Sequence, residues 1–130
     1  MHKKEVIRTS KAPVPKGPYS QAIIYNGLVY VSGQIALDPV TDEMVLGGIE
    51  EESKIIFENI RAILKEANSG FSNILKVTCY LVDIGDFKKF NTVYKDYFMN
   101  DPPARTTVQV SGLPLNAKVE VDVIAFINSS

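Results

Sequence analysis

Between Ile49 and Ala67 the chain sets Ile49, Ile56, Ile60, Ile63, Leu64 and Ala67 at spacings of three, four and seven, the stripe of an amphipathic helix. Glu50, Glu51 and Glu52 fall in its first turn, where carboxylates meet the positive end of the helix dipole, and Asn68-Ser69-Gly70 stops the run. The flanks make this helix a strong constraint. Before it, Ala22-Ile23-Ile24-Tyr25 and Leu28-Val29-Tyr30-Val31 are β-forming runs joined by Asn26-Gly27, a pair suited to the two positive-φ positions of a type I′ turn. After it, Leu75 to Val82 reads as another strand. A helix caught between strands must cross over a sheet, and such crossovers are right-handed.

The remaining stretches extend the pattern. Glu5 to Thr9 predicts a short first strand, and "SKAPVPKGPYSQ" predicts an ordered, irregular loop. Asp86 is placed to cap a second helix running to about Phe98, with Phe87, Phe90, Tyr94 and Tyr97 on its apolar side. Thr106 to Val110 and Val119 to Ile127 read as the last strands, giving the order β-β-β-α-β-α-β-β. Two β-α-β passages put both helices on one face of a mixed sheet, an α+β architecture. In the last strand Val119, Val121, Val123, Ala125 and Ile127 face the helices. Glu120, Asp122, Ile124 and Phe126 face the other way, and a face of such mixed character suits a subunit interface with a site in it. The expectation is an oligomer; the alternative is a monomer whose N-terminal segment folds over that face.

Composition bounds the chemistry. The 130 residues suit one domain spanning 1–130, and a formal net charge of −1 gives no bulk pull toward nucleic acid or an anionic membrane. The charged N-terminus has no apolar stretch behind it, so a cytoplasmic location is expected, and a lone Cys79 allows no internal disulfide. His2 is the only histidine, which argues against a Ser-His-Asp or Cys-His nucleophile and against a zinc site. Neither a P-loop nor a G-x-G-x-x-G occurs, and Asp38, Asp42 and Glu43 miss the EF-hand spacing, so these acids read as a solvated turn. No metal and no cofactor is expected. Any chemistry must run on Arg, Glu, Tyr, Ser, Thr and backbone groups.

Single residues leave alternatives open. Arg105, behind Pro102-Pro103, is either a solvated strand-end charge or a planar fork for a carboxylate. Glu120 is either polar cover or a group that positions water and moves a proton. Tyr19 reads as a lid over its own loop, and Gly33 leaves backbone open to close approach. Asn91 interrupts the apolar side of the second helix and is expected to tie down a neighbouring loop. Cys79 reads as an inert core thiol.

Together, "GPYSQA" (17–22), "VSGQI" (31–35), "FNTVY" (90–94), "PPARTTVQV" (102–110) and "KVEVDVIA" (118–125) resemble the successive motifs of the RidA (YjgF) family of reactive-intermediate deaminases, in order and over nearly the whole chain. The resemblance implies a homotrimer of chorismate-mutase-like subunits, sheets packed inward, with a cleft at each subunit boundary. It implies hydrolysis of 2-imino acids or their enamines, such as 2-iminobutanoate and 2-iminopropanoate, to 2-oxo acids and ammonia. By the same likeness Arg105 binds the substrate carboxylate, Tyr19, Ser32 and Gly33 contact the substrate, and Asn91 supports the pocket. Glu120 and the carbonyl of Thr107 hold the attacking water. A non-catalytic trimer that binds small carboxylates or a protein partner is the alternative, and a ribonuclease a weaker one. Two departures stand out: Thr106 and Thr107 where many active members have a small residue and a cysteine, and Thr41-Asp42-Glu43 in place of a "TGE" turn, far from the cleft in sequence and read as a loop variation.

Overall fold

The computed structural model describes residues 3–129; His2 lies outside them. Its elements are β1 (Glu5–Ile7), β2 (Ala22–Tyr25), β3 (Leu28–Gln34), α1 (Ile49–Glu66), β4 (Ile74–Leu81), α2 (Phe87–Tyr97), β5 (Ala104–Gln109) and β6 (Val119–Phe126). One six-stranded sheet has the order β1-β2-β3-β6-β4-β5, parallel only between β4 and β5. Asn26 (φ 51) and Gly27 (φ 78) make the β2–β3 turn as their chemistry requires.

Both helices pack against one face of the sheet. The α1 stripe of Ile56, Ile60, Ile63 and Leu64 is fully buried, opposite Val77, Cys79, Val121 and Ala125. Each such aliphatic side chain contributes about 1.5–3 kcal/mol of burial free energy. Asn68, at φ 56, ends α1 in a Schellman motif, in which Ser69 N donates to Leu64 O and Asn68 N to Lys65 O. Asparagine tolerates the left-handed geometry that most side chains avoid.

Two expectations need amendment, and one alternative is set aside. Asp86 occupies the N-cap position of α2, but its side chain makes no capping bond; Asp83, three residues earlier, accepts from Gly85 N instead. The N-terminal segment does not fold over the open sheet face: β1 pairs with β2 at the sheet edge, leaving Tyr30, Val108 and Phe126 exposed. Most strand and helix ends differ from the expected ones by one to two residues, the ordinary fraying of boundaries, and β3 runs three residues past Val31 to Gln34. No helix among the described residues is long and apolar enough to cross a membrane.

β3 and β6 set up the site. Val31 pairs with Val123 and Gln34 with Val121, three steps on β3 against two on β6, so one extra residue bulges from β3 at Ser32-Gly33. That bulge lies beside Glu120.

Candidate active site

Glu120 projects from the open face of β6 into a cavity of about 850 Å³. Tyr19, Gly33, Ile35, Met44 and Leu115 are among the residues that share its wall. A methyl group on Gly33 would overlap the Glu120 carboxylate, so only glycine lets that side chain lie against β3. Burial pushes the Glu120 carboxyl above the ordinary carboxylate range, and the neighbouring Asp122 adds to the shift. Asp122 itself accepts from the Tyr80 hydroxyl at 2.9 Å. Tyr19 is half exposed, and its hydroxyl accepts from Lys16 N at 3.0 Å, so it does brace its own loop as well as wall the cavity. Buried Gln21 anchors this loop: its Oε1 accepts from Thr9 N, and its Nε2 donates to Pro13 O at 2.9 Å.

Arg105 stands elsewhere. It pairs in register with Val77 on the helix-covered side of β5, so its guanidinium meets α2. Nη1 donates to Asn91 Oδ1 at 2.8 Å, and the guanidinium carbon sits 4.5 Å from the Tyr94 ring centre and 5.4 Å from that of Phe87. One side-chain bond and two aromatic faces hold the cation while most of its five N–H groups stay available. Asn91 therefore ties down a strand arginine, not the neighbouring loop expected from its position alone. Thr107 lies two residues on, its buried hydroxyl turned to the Cys79 thiol. Val110 N donates to Leu81 O on β4, and main-chain groups alternate sides along a strand, so the Thr107 carbonyl points to the free edge of the sheet. Cys79, beneath this corner, is fully buried, and burial pushes its thiol up to about 12, as an inert core thiol requires.

One chain does not bring these groups together. Glu120 and Arg105 lie on opposite faces of the sheet, two strands across and three residues out of step along them, about 14 Å apart in backbone position by the usual strand spacing and rise. The family described as Endoribonuclease L-PSP matches residues 9–127. A RutC family protein of Pyrococcus abyssi is 50% identical over 95% of this chain and 97% of its own length. The chain belongs to the RidA (YjgF) family. The human protein named 2-iminobutanoate/2-iminopropanoate deaminase is 43% identical over 94% of this chain and 89% of its own length. Yeast Mmf1 superposes with a TM-score of 0.94 at 41% identity, covering 97% of this chain and all of that one. Escherichia coli TdcF, solved with bound serine, has a TM-score of 0.90 at 34% identity, covering 95% of this chain and 99% of that one.

Within the RidA fold the two departures become physical. Thr106 faces the open side of the sheet, where Lys76 Nζ donates to its hydroxyl at 2.7 Å. Thr107 turns its hydroxyl inward toward Cys79, with which it pairs. The altered turn is not remote: Asp42 and Glu43 line the same cavity as Glu120, because Leu37 and Met44 bridge and fold the turn back. Asp42 takes φ 61, which aspartate tolerates better than most residues. Ser32 does not line the cavity; its hydroxyl donates to Ser20 O at 2.6 Å and ties the β3 bulge to the N-terminal loop. Sequence reasoning missed Leu115, Tyr94 and Phe87 as site neighbours, and Gln21 as the loop anchor. Only Gln21 left a signal, a polar residue at the start of a strand beside a proline-rich loop.

Proposed function

We propose that this chain hydrolyses 2-imino acids, 2-iminobutanoate and 2-iminopropanoate among them, to 2-oxo acids and ammonia, as a homotrimer. One observation carries the reading: each chain holds a carboxylate half-site and a cationic half-site that point away from each other. Adjacent copies packed head to tail around a ring bring the Arg105 edge of one against the Glu120 cavity of the next. The relatives named as deaminases and the serine bound by TdcF support a small substrate with a carboxylate.

The chemistry needs little machinery. The free N–H groups of Arg105 grip the substrate carboxylate as a fork, with Asn91, Tyr94 and Phe87 holding the guanidinium in place. Glu120 and the Thr107 carbonyl of the neighbouring copy hold a water against the iminium carbon. Attack forms a C–O bond to that carbon as Glu120 takes the water's proton, giving a carbinolamine. Glu120 returns the proton to the amino group; as the C–N bond breaks and the carbonyl forms, Glu120 takes the hydroxyl proton and passes it to the departing ammonia, which leaves as ammonium beside the 2-oxo acid. A carboxyl with a raised pKa suits these transfers. Positioning supplies the rest of the acceleration. A ribonuclease reading fits poorly, because Asp42, Glu43 and Glu120 give the cavity a character that repels phosphate.

The test is complementation between chains. Arg105→Ala and Glu120→Gln proteins are each expected to lose most imine hydrolysis. Mixed, unfolded and refolded together, they should regain activity, because about a quarter of sites in random heterologous rings join two intact halves. Light scattering should report three 14.4 kDa chains. Activity in neither protein nor mixture, with trimers present, would leave a binding module; a monomer would refute the shared site.

A further inference from the structure

The cavity beside Glu120 is larger than a four-carbon imino acid needs. Its volume of about 850 Å³ lies in the range that encloses drug-sized ligands. Beyond Gly33 and Glu120 its walls turn apolar, with Ile35, Leu37 and Met44 from the exit of β3 and Leu115 from the loop before β6. Asp42 and Glu43 stand at the same cavity, and Lys16 pairs with Asp42, so the lining is negative overall.

Leu115 is unusual within this wall. Its φ of 56° and ψ of 32° lie in the left-handed region, and Asn116 beside it follows at φ 59°. Asparagine and glycine enter this region readily; a leucine does so against steric resistance. Its side chain is 55% exposed at the cavity, so core packing does not offset that strain. A bulky apolar residue, strained and half exposed at a ligand-sized cavity, is placed for contact with something that the chain itself does not provide.

We propose that Leu115, with Ile35 and Met44, forms the subsite for the substrate side chain and selects aliphatic side chains of three or four carbons over methyl and over carboxylate-bearing ones. The proposal rests on the deaminase reading for the position of the substrate. With its carboxylate on the partner's Arg105 and its reacting carbon beside Glu120, the side chain is left to enter the apolar end of the cavity. The acids along the lining turn away the imines of aspartate and glutamate, whose side chains carry a second negative charge.

Product binding tests the subsite independently of turnover. Calorimetric titration of the trimer with pyruvate, 2-oxopentanoate and 4-methyl-2-oxopentanoate should show affinity rising about fourfold per added methylene, about fifteenfold from pyruvate to 2-oxopentanoate. 2-Oxoglutarate should bind more weakly than 2-oxopentanoate. Leu115→Asn should remove most of this ladder, lowering the 2-oxopentanoate-to-pyruvate ratio about fourfold or more. It should also raise the melting temperature by a few degrees as the strain is relieved. Equal affinities in the wild type, an unchanged ratio in Leu115→Asn, a lowered melting temperature or loss of the trimer in that variant would each overturn the assignment. A binding ladder without imine hydrolysis would keep the subsite and sink the deaminase reading; hydrolysis without a ladder would do the reverse.

Discussion

Arg105 and Glu120 rise from strands of the same sheet, and their surroundings differ in kind. Arg105 stands on an edge strand against a helix, fixed by Asn91 and flanked by Tyr94 and Phe87, so its charge is held before any ligand arrives. Glu120 stands on a central strand, facing a cavity walled largely by loops, where burial makes its charge costly. The first arrangement suits an anchor, which gains by not moving. The second suits a proton carrier, which gains by having two protonation states close in energy.

The sharpest way to break this contrast is Glu120→Gln. Turnover should fall about 10²-fold, the low end of what a proton-transferring group supplies, while 2-oxobutyrate binding stays within a few fold of the wild type. Because the carboxyl is raised and its ionised form takes the proton, wild-type kcat/KM should fall as pH drops through that raised value, and the variant should lose this limb. Binding lost in step with turnover would make Glu120 a structural residue.

Arg105→Ala attacks the other half. A charge-assisted fork to a carboxylate is worth about 2–3 kcal/mol, so 2-oxobutyrate affinity should drop roughly 30- to 150-fold with folding nearly unchanged. Arg105→Lys should recover only part, since an ammonium cannot offer parallel donors. Unchanged affinity in a well-folded Arg105→Ala would return the arginine to the solvent as a surface charge.

Asn91→Ala sharpens the idea of an anchor held in advance. Losing the bond to Arg105 removes about 1 kcal/mol of positioning, so affinity should weaken about fivefold, calorimetry being the measurement. An effect as large as that of Arg105→Ala would mean that Asn91 touches the ligand itself.

The smallest effect concerns Glu52, fully buried in the first turn of α1, where Oε1 accepts from Lys118 N at 2.9 Å and Oε2 has no partner among the described residues. Burial raises its carboxyl above the usual range. The folded state then holds this proton more tightly than the unfolded chain, so the contribution is full below the ordinary carboxylate value of about 4 and is lost as pH rises through the raised one. Melting temperature should therefore fall less between acid and neutral pH in Glu52→Gln than in the wild type. Glu120 carries the same sign, so some slope should persist. Parallel curves for the two proteins would show that Glu52 stays ionised.

How far the chain could be read in advance follows from how local each feature is. The α1 stripe, the Asn26-Gly27 hairpin, the Asn68 stop and the in-out alternation of β6 are short-range patterns, set by residues within a turn or a few strand positions, and each formed where its chemistry directs. The crossover rule then put both helices on one face. Motif order carried the family, and with it the expectation that Arg105 and Glu120 serve one site. Other features depended on paths no local pattern records. Asp42 and Glu43 reached the Glu120 cavity because the turn folds back through Leu37 and Met44, and Ser32 was drawn off by Ser20 at a β-bulge. Asn91 met Arg105 only because α2 lies over β5, and Leu115 took a left-handed backbone that its side chain disfavours. Periodicity is a property of neighbours in sequence; the meeting of side chains from different elements is decided when the sheet closes its order and the loops find the shortest routes across its ends.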